Sequence, residues 1–80
     1  MTDLEIDRIG KILGWNTRHL MNNRGVTQTE LANRIGVSQP TIASICQGYG
    51  CKTAMWTIFA IADEFDLSVD ELCREEFNYD

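Results

Sequence analysis

No run of apolar residues in this 80-residue chain approaches the roughly 20 needed to cross a bilayer. The first residues, MTDLEIDR, are polar and acidic where a signal sequence would be basic and then apolar. A cytoplasmic location with no membrane attachment is therefore expected. Cysteine is scarce and odd in number, Cys46, Cys51 and Cys73, which excludes the even, regularly spaced set of a secreted disulfide framework and points to free thiols. Histidine occurs once. His19 with the three cysteines is the only conceivable metal set, and it lacks the short paired spacing of structural zinc sites, so no metal or other cofactor is expected. The same scarcity leaves each serine, cysteine and carboxylate without an evident base partner, which argues against an enzyme. Internal repeats, low-complexity segments and any motif for a small-molecule ligand are also missing.

Positive charge is in short supply overall: 7 Lys and Arg stand against 12 Asp and Glu, for a net charge of −5 and a pI near 4.6. Taken alone, that balance disfavours a nucleic-acid partner, because neutralising phosphates supplies much of such affinity. The placement of the charges along the chain points the other way. Between Arg8 and Ala62 the basic residues Arg8, Lys11, Arg18, Arg24, Arg34 and Lys52 face one acid, Glu30. The acids crowd the ends, with Asp3, Glu5 and Asp7 before this stretch and eight carboxylates against Arg74 after it. A basic middle within an acidic chain is the asymmetry that an electrostatic footprint needs.

Eighty residues suffice for one helical core, and no second, sensing domain is expected within them. Leu4 to Arg24 is a helical region with Leu4, Ile9, Ile12, Leu13, Leu20 and Met21 as its apolar members, interrupted by Gly10 and Gly14. It forms either one kinked helix or a short leading helix ahead of a second starting near Trp15 or Asn16. The i, i+4 glycines would permit a close helix contact, although tolerated helix glycines are the commoner case. Gly25 is the expected end cap. The organising stretch is Thr27 to Gly48, TQTELANRIGVSQPTIASICQG. Thr27 and Glu30 have capping-box spacing, Leu31, Ala32 and Ile35 share one helical face, and Gly36 is placed to turn the chain left-handed. Ser38 is a good N-cap for the next helix, Pro40 costs nothing within a first turn, and Ile42 and Ile45 point inward. A loop follows from Gly48 to Thr53. Met55, Ile58, Phe59, Ala62 and Phe65 then make a helical stripe that reads as core, and Ser68 to Glu71 form a second capping box opening a short helix with Leu72.

A small Ala32 at a crossing point, Gly36 at the corner and Ile42 and Ile45 in the angle match the helix-turn-helix pattern. On these residues the stretch resembles the DNA-binding motif of the Cro/C1-type, lambda-repressor-like family of phage and bacterial regulators. The similarity extends upstream through NTRHLMNNRGVTQTELA and downstream through IFAIADEFDLSVDEL, from about Ile9 to Leu72. It implies an all-α, five-helix domain over residues 9 to 73, with residues 1 to 8 as an N-terminal extension and 74 to 80 as an acidic tail. The loop departs from the family pattern, carrying Lys52 alone and no proline.

With Ile42 and Ile45 inward, Pro40, Ser44 and Gln47 point away from the core, Ala43 lies beside them, and Gln39 and Thr41 flank the exposed first turn. Such a helix fits the major groove, where Gln39 can pair with adenine and Pro40 and Ala43 can meet thymine methyls. The resemblance implies base reading by Gln39 and groove-facing by Ser44, with Gln47 next in line. It makes Gln28, at a helix start that favours anions, a phosphate clamp. Thr27, Ser38, Thr41, Arg18, Arg24, Arg34 and Lys52 are further candidates for backbone phosphates. The expected protein is a sequence-specific regulator of transcription on double-stranded DNA, most simply a repressor acting as a homodimer on a pseudo-palindromic operator. Trp56 is off the core phase and could serve the dimer, as could Trp15, Phe77 and Tyr79, or any of these could cap the core. The alternative is a helix-turn-helix domain used for protein contact, as an antirepressor, an antitoxin-like partner or a DNA mimic, which the acidic C-terminal region would suit.

Overall fold

A computed structural model describes residues 1–75. Among them the regular structure is wholly helical, in five α-helices: α1 Asp3–Arg24, α2 Gln28–Ile35, α3 Gln39–Ser44, α4 Met55–Glu64 and α5 Val69–Leu72. No helix among the described residues is long and apolar enough to cross a membrane.

The starts of these helices follow from local chemistry. Thr2, Thr27 and Ser68 each accept from the amide three residues on, and Glu5, Glu30 and Glu71 reach back to the cap amide. Three capping boxes, each satisfying two orphan donors, contribute about 1 kcal/mol apiece. The first of them begins α1 at Asp3, so the expected N-terminal extension over residues 1–8 forms the opening turns of a helix that runs without interruption to Arg24. At the other end Arg74 pairs with Asp70 at 2.7 Å and Glu75 with Arg8. The tail expected from residue 74 is thus engaged as far as Glu75, and residues 76–80, with Phe77 and Tyr79, lie outside the described residues.

Gly10 and Gly14 have a purpose beyond tolerance. A Cβ on Gly14 would stand 2.6 Å from the Ile45 carbonyl oxygen and 2.9 Å from that of Cys46, and one on Gly10 would strike the Gly48 carbonyl. The two glycines let α1 lie directly against the backbone that follows α3, so they serve a close contact and are not merely tolerated. That backbone continues α3 as a wider, π-type turn over Ile45–Tyr49, which ends where Gly48 takes a φ of 103°.

The core gathers Leu13, Leu20 and Met21 of α1, Leu31 and Ala32 of α2, Ile42 of α3, Ile45 and Cys46 after it, four residues at the α4 end and Leu72. Those four are Ile58, Ile61, Ala62 and Phe65, all buried. The stripe expected on α4 needs correction here. Met55 and Phe59 are exposed at 62% and 59%, and Ile61, left out of the stripe, is fully buried. Both sets have i, i+3, i+4, i+7 spacing and share Ile58, Ala62 and Phe65; the first turn of α4 overhangs the core, which moves the inward direction toward Ile61. Asn16, another buried residue that hydropathy does not mark, donates to the carbonyls of Leu72 at 2.7 Å and Arg74 at 2.9 Å. It pins the end of α5 to α1.

Candidate nucleic-acid interface

The turn between α2 and α3 fixes the geometry of the exposed surface. Gly36 adopts a φ of 79°, its amide donating to the Ala32 carbonyl at 2.9 Å, and Val37 donates to the same carbonyl at 3.0 Å. A residue with a Cβ resists that conformation, whereas glycine enters it freely. Ser38 then caps α3. Its hydroxyl accepts from the Thr41 amide at 3.4 Å and shares a 2.8 Å hydrogen bond with the Thr41 hydroxyl. With Ala32 only 2% exposed and Ile42 and Ile45 completely buried, α3 is wedged across α2 and its opposite face turns outward.

At the outer end of this wedge Gln39 Nε2 donates to Gln28 Oε1 at 2.7 Å. The bond joins the first residue of α3 to the first residue of α2, so both amides are oriented before any ligand arrives. It consumes one of two Gln39 N–H donors, and the exposed Gln39 side chain keeps the other, together with Oε1, outside that bond. Gln28 also hydrogen-bonds the Cys46 thiol, which links the same side chain to the segment that follows α3. Each residue was legible as a polar side chain at the start of a helix; the link between them, eleven positions apart, requires the corner to be built.

The other predicted contact residues divide into two groups. Gln39, Pro40 and Gln47 are exposed, while Thr41, Ala43 and Ser44 are half-buried. Thr41 and Ser44 line an open cleft with Ser38, Lys52, Thr53 and Trp56, so the loop lysine stands on one flank of α3. Arg18 stands on the other flank, lining a hollow with Thr27, Gln28 and Cys46. Its guanidinium also lies 5.7 Å from the Trp15 ring centre. Arg24 and Arg34 are engaged elsewhere. Arg24 covers the Phe65 ring at 5.7 Å, and Arg34 pairs with Glu64 of α4 at 3.1 Å. The structure thus brings Arg18 and Lys52 to the motif and turns the other two arginines toward α4. At the start of α2, Thr27 is satisfied by Glu30, and the next amides, those of Gln28 and Thr29, belong to the first helical turn, where no intrahelical acceptor exists.

The three cysteines are free. Burial pushes the Cys46 thiol up, partly opposed by the Gln28 hydrogen bond and the Arg18 charge. Cys73 is likewise raised by burial, with Cys51 and Asp70 adding to the effect. Both thiols are favoured in the protonated state by the fold. Their contribution to stability is therefore whole below the unfolded thiol pKa of 9.0 and is lost as pH climbs beyond it. The urea midpoint should fall above that pH, and Cys46→Val should flatten the fall; an unchanged alkaline limb would count against it. Cys51 is exposed, so iodoacetamide should label it first and Cys46 only on unfolding. Among the described residues no group of three or more His, Cys, Asp or Glu is placed to hold a metal ion.

Comparison with known proteins agrees with this arrangement. A 43-residue stretch is 42% identical to the HTH-type transcriptional regulators for conjugative element R391 of Providencia rettgeri, SXT of Vibrio cholerae and pMERPH of Shewanella putrefaciens. That stretch is 54% of this chain and 20% of each relative, so the chain spans about a fifth of the length of the curated proteins it matches. No solved structure gives a significant match. The family model described as Helix-turn-helix matches residues 18–72, from within α1 to the end of α5. With its motif, its five helices and that match in agreement, the chain belongs to the helix-turn-helix family, in its Cro/C1-type branch.

Proposed function

We propose that this chain binds double-stranded DNA in a sequence-specific manner and regulates transcription, most simply as a cytoplasmic repressor that occludes a promoter. The observation that carries the reading is the Gln28–Gln39 amide pair on the outer corner of the motif. A side chain that must discriminate bases gains from being aimed in advance, since less freedom is lost on binding. The remaining Gln39 N–H and Oε1 match N7 and the N6 amino group of adenine in the major groove. Pro40, Ala43 and Ser44 follow along α3, with Gln47 one turn beyond. The first-turn amides of α2 and Thr27, Ser38 and Thr41 hold the phosphate backbone, flanked by Arg18 and Lys52. The relatives named above are regulators of conjugative elements, which fits a role of this kind.

Two copies on half-sites about one helical turn apart would add their contacts, and one module with so few basic residues needs that reinforcement. The chain is a binding module and not an enzyme. Its test is titration with duplex DNA over a salt series, followed residue by residue through amide shifts. Log affinity should fall linearly with log salt, and the largest shifts should cluster at Gln28, Gln39, Thr41 and Ser44. Shifts confined to the acidic end, with no salt dependence, would favour the protein-contact alternative. Ending the chain after Glu75 retains the Arg74 carbonyl that Asn16 holds, while removing the charges of Glu76 and Asp80. Nonspecific duplex binding at low salt should tighten about two- to threefold in that variant. Equal affinity would show that the terminal acids do not reach the binding face.

A further inference from the structure

The fold sorts the three cysteines into a single and a pair. Cys46 is buried and lines the hollow that Arg18 and Gln28 share. Cys51 and Cys73, far apart in the chain, instead line one cavity of about 120 Å³, with Ile9, Leu13, Ile58 and Val69 among its walls. Both are tied to α1. The Cys51 thiol donates to the Ile6 carbonyl at 3.3 Å, and Asn16 holds the carbonyls of Leu72 and Arg74 on either side of Cys73. The thiols lie near enough for a charge on Cys51 to oppose ionisation of Cys73. They differ in access, Cys51 being exposed and Cys73 half-buried. An accessible thiol beside a shielded one is the arrangement in which the first meets an oxidant and the second resolves the product. Chain order would pair Cys46 with Cys51, five positions away; the fold brings Cys51 to Cys73.

We propose that Cys51 and Cys73 form a reversible dithiol site that hydrogen peroxide converts to an intramolecular disulfide, bridging the single helical turn Gly50–Lys52 to the end of α5. The cavity leaves both side chains room to turn toward one another. In the first step the Cys51 sulfur, as thiolate, attacks one peroxide oxygen. The O–O bond breaks, the departing hydroxide takes up the proton that Cys51 released and becomes water, and Cys51 is left as a sulfenic acid. In the second step the Cys73 sulfur attacks the Cys51 sulfur, the S–O bond breaks, and hydroxide leaves with the Cys73 proton as a second water. Two thiols and one peroxide thus give one disulfide and two waters, with two electrons passing from sulfur to oxygen. A low-molecular-weight thiol returns the pair to its reduced form by exchange. The bridge closes a loop that contains all of α4 and α5. A cross-link of that kind restrains the unfolded chain more than the folded one, so the oxidised protein should be the more stable form. It also exchanges the Cys51–Ile6 hydrogen bond for a covalent tie, so the oxidant sets how firmly the turn after the motif is held.

The experiment treats the full 80-residue chain, first reduced, with stoichiometric hydrogen peroxide and then blocks the remaining thiols with iodoacetamide in denaturant. One thiol of the three should be left to alkylate, and digestion should join the peptide carrying Cys51 to the one carrying Cys73. Cys46→Val should form the same bridge, which assigns it to Cys51. Cys51→Ser and Cys73→Ser should each lose the bridge while retaining the helical circular dichroism of the parent. The bridged chain should melt about 10 °C or more above the reduced one, and dithiothreitol should reverse the shift. Three thiols still open to alkylation, a bridge made by Cys46, or cross-links only between chains would overturn the proposal. A sulfinic acid on Cys51 with no bridge would do the same, because Cys73 would then fail to reach it. A bridge that does not raise the melting temperature would mean that the fold must open to admit it, and counts equally against the proposal.

Discussion

Replacing Gln39 with alanine should weaken binding to the preferred duplex by about 1 to 3 kcal/mol and erase the preference at a single base pair. The loss has two parts: the contacts to the base, and the readiness of the side chain, which Gln28 now holds at 2.7 Å. Gln28→Ala should produce a different pattern. On the proposed reading it removes a phosphate contact, so all sequences should bind more weakly, and it frees Gln39 to rotate, so part of the base preference should be lost as well. The two residues share one hydrogen bond, and their effects should not add. The double variant should cost less than the sum of the singles, with a coupling of about 0.5 kcal/mol or more. Gln39 is exposed, so thermal stability should change by no more than about 0.5 kcal/mol in Gln39→Ala, whereas half-buried Gln28, bonded to the Cys46 thiol, should lose about 1 kcal/mol on truncation. Fluorescence anisotropy on specific and scrambled duplexes, with a melting curve for each variant, separates these outcomes. Equal losses on both duplexes for Gln39→Ala would remove it from base reading.

Gly14→Val should be the most damaging single change in the scaffold. The new Cβ would lie 2.6 Å and 2.9 Å from two backbone carbonyl oxygens, which cannot swing aside as a flexible side chain can. Overpacking of this kind costs about 1 to 3 kcal/mol and at times more, while valine returns only a few tenths through its better helix propensity. For a domain of this size each kcal/mol shifts the melting temperature by about 4 to 8 °C. A fall of about 10 to 20 °C is expected. The contrast is Gly25→Ala, where φ is 64° but nothing lies within 4 Å of the added carbon. That change should cost about 1 kcal/mol from backbone strain alone. Thermal melts of the two variants side by side check the claim, and equal, small losses would mean that α1 is free to move off the turn after α3.

The motif was readable because its determinants are local. Thr27 and Glu30, Gly36, Ser38 and Pro40 each act within a few residues, and the structure places caps, corner and helix starts where their chemistry puts them. The stretch around Gly10 and Gly14 was ambiguous because a helix glycine looks the same whether it merely costs propensity or admits another backbone; only the presence of Ile45 and Cys46 across the gap decides. On α4 two stripes of equal spacing overlap, and periodicity does not say which one faces a core supplied by other helices. Asn16 carried no signal at all, since its partners are backbone carbonyls more than fifty positions away. The candidate interface shows the same division. Its residues were recognisable one by one, but the pairing of Gln39 with Gln28, and the diversion of Arg24 and Arg34 to Phe65 and Glu64, arise from tertiary placement.

Selection of bound duplexes from a random pool, carried out in parallel with the parent chain and Gln39→Ala, tests most directly whether the outer turn of α3 reads bases. Enrichment of a recurring site containing adenine, with that one position relaxed in Gln39→Ala and the rest retained, is the expected result. A pool that stays random with the parent chain, or an identical site recovered with both proteins, would contradict it.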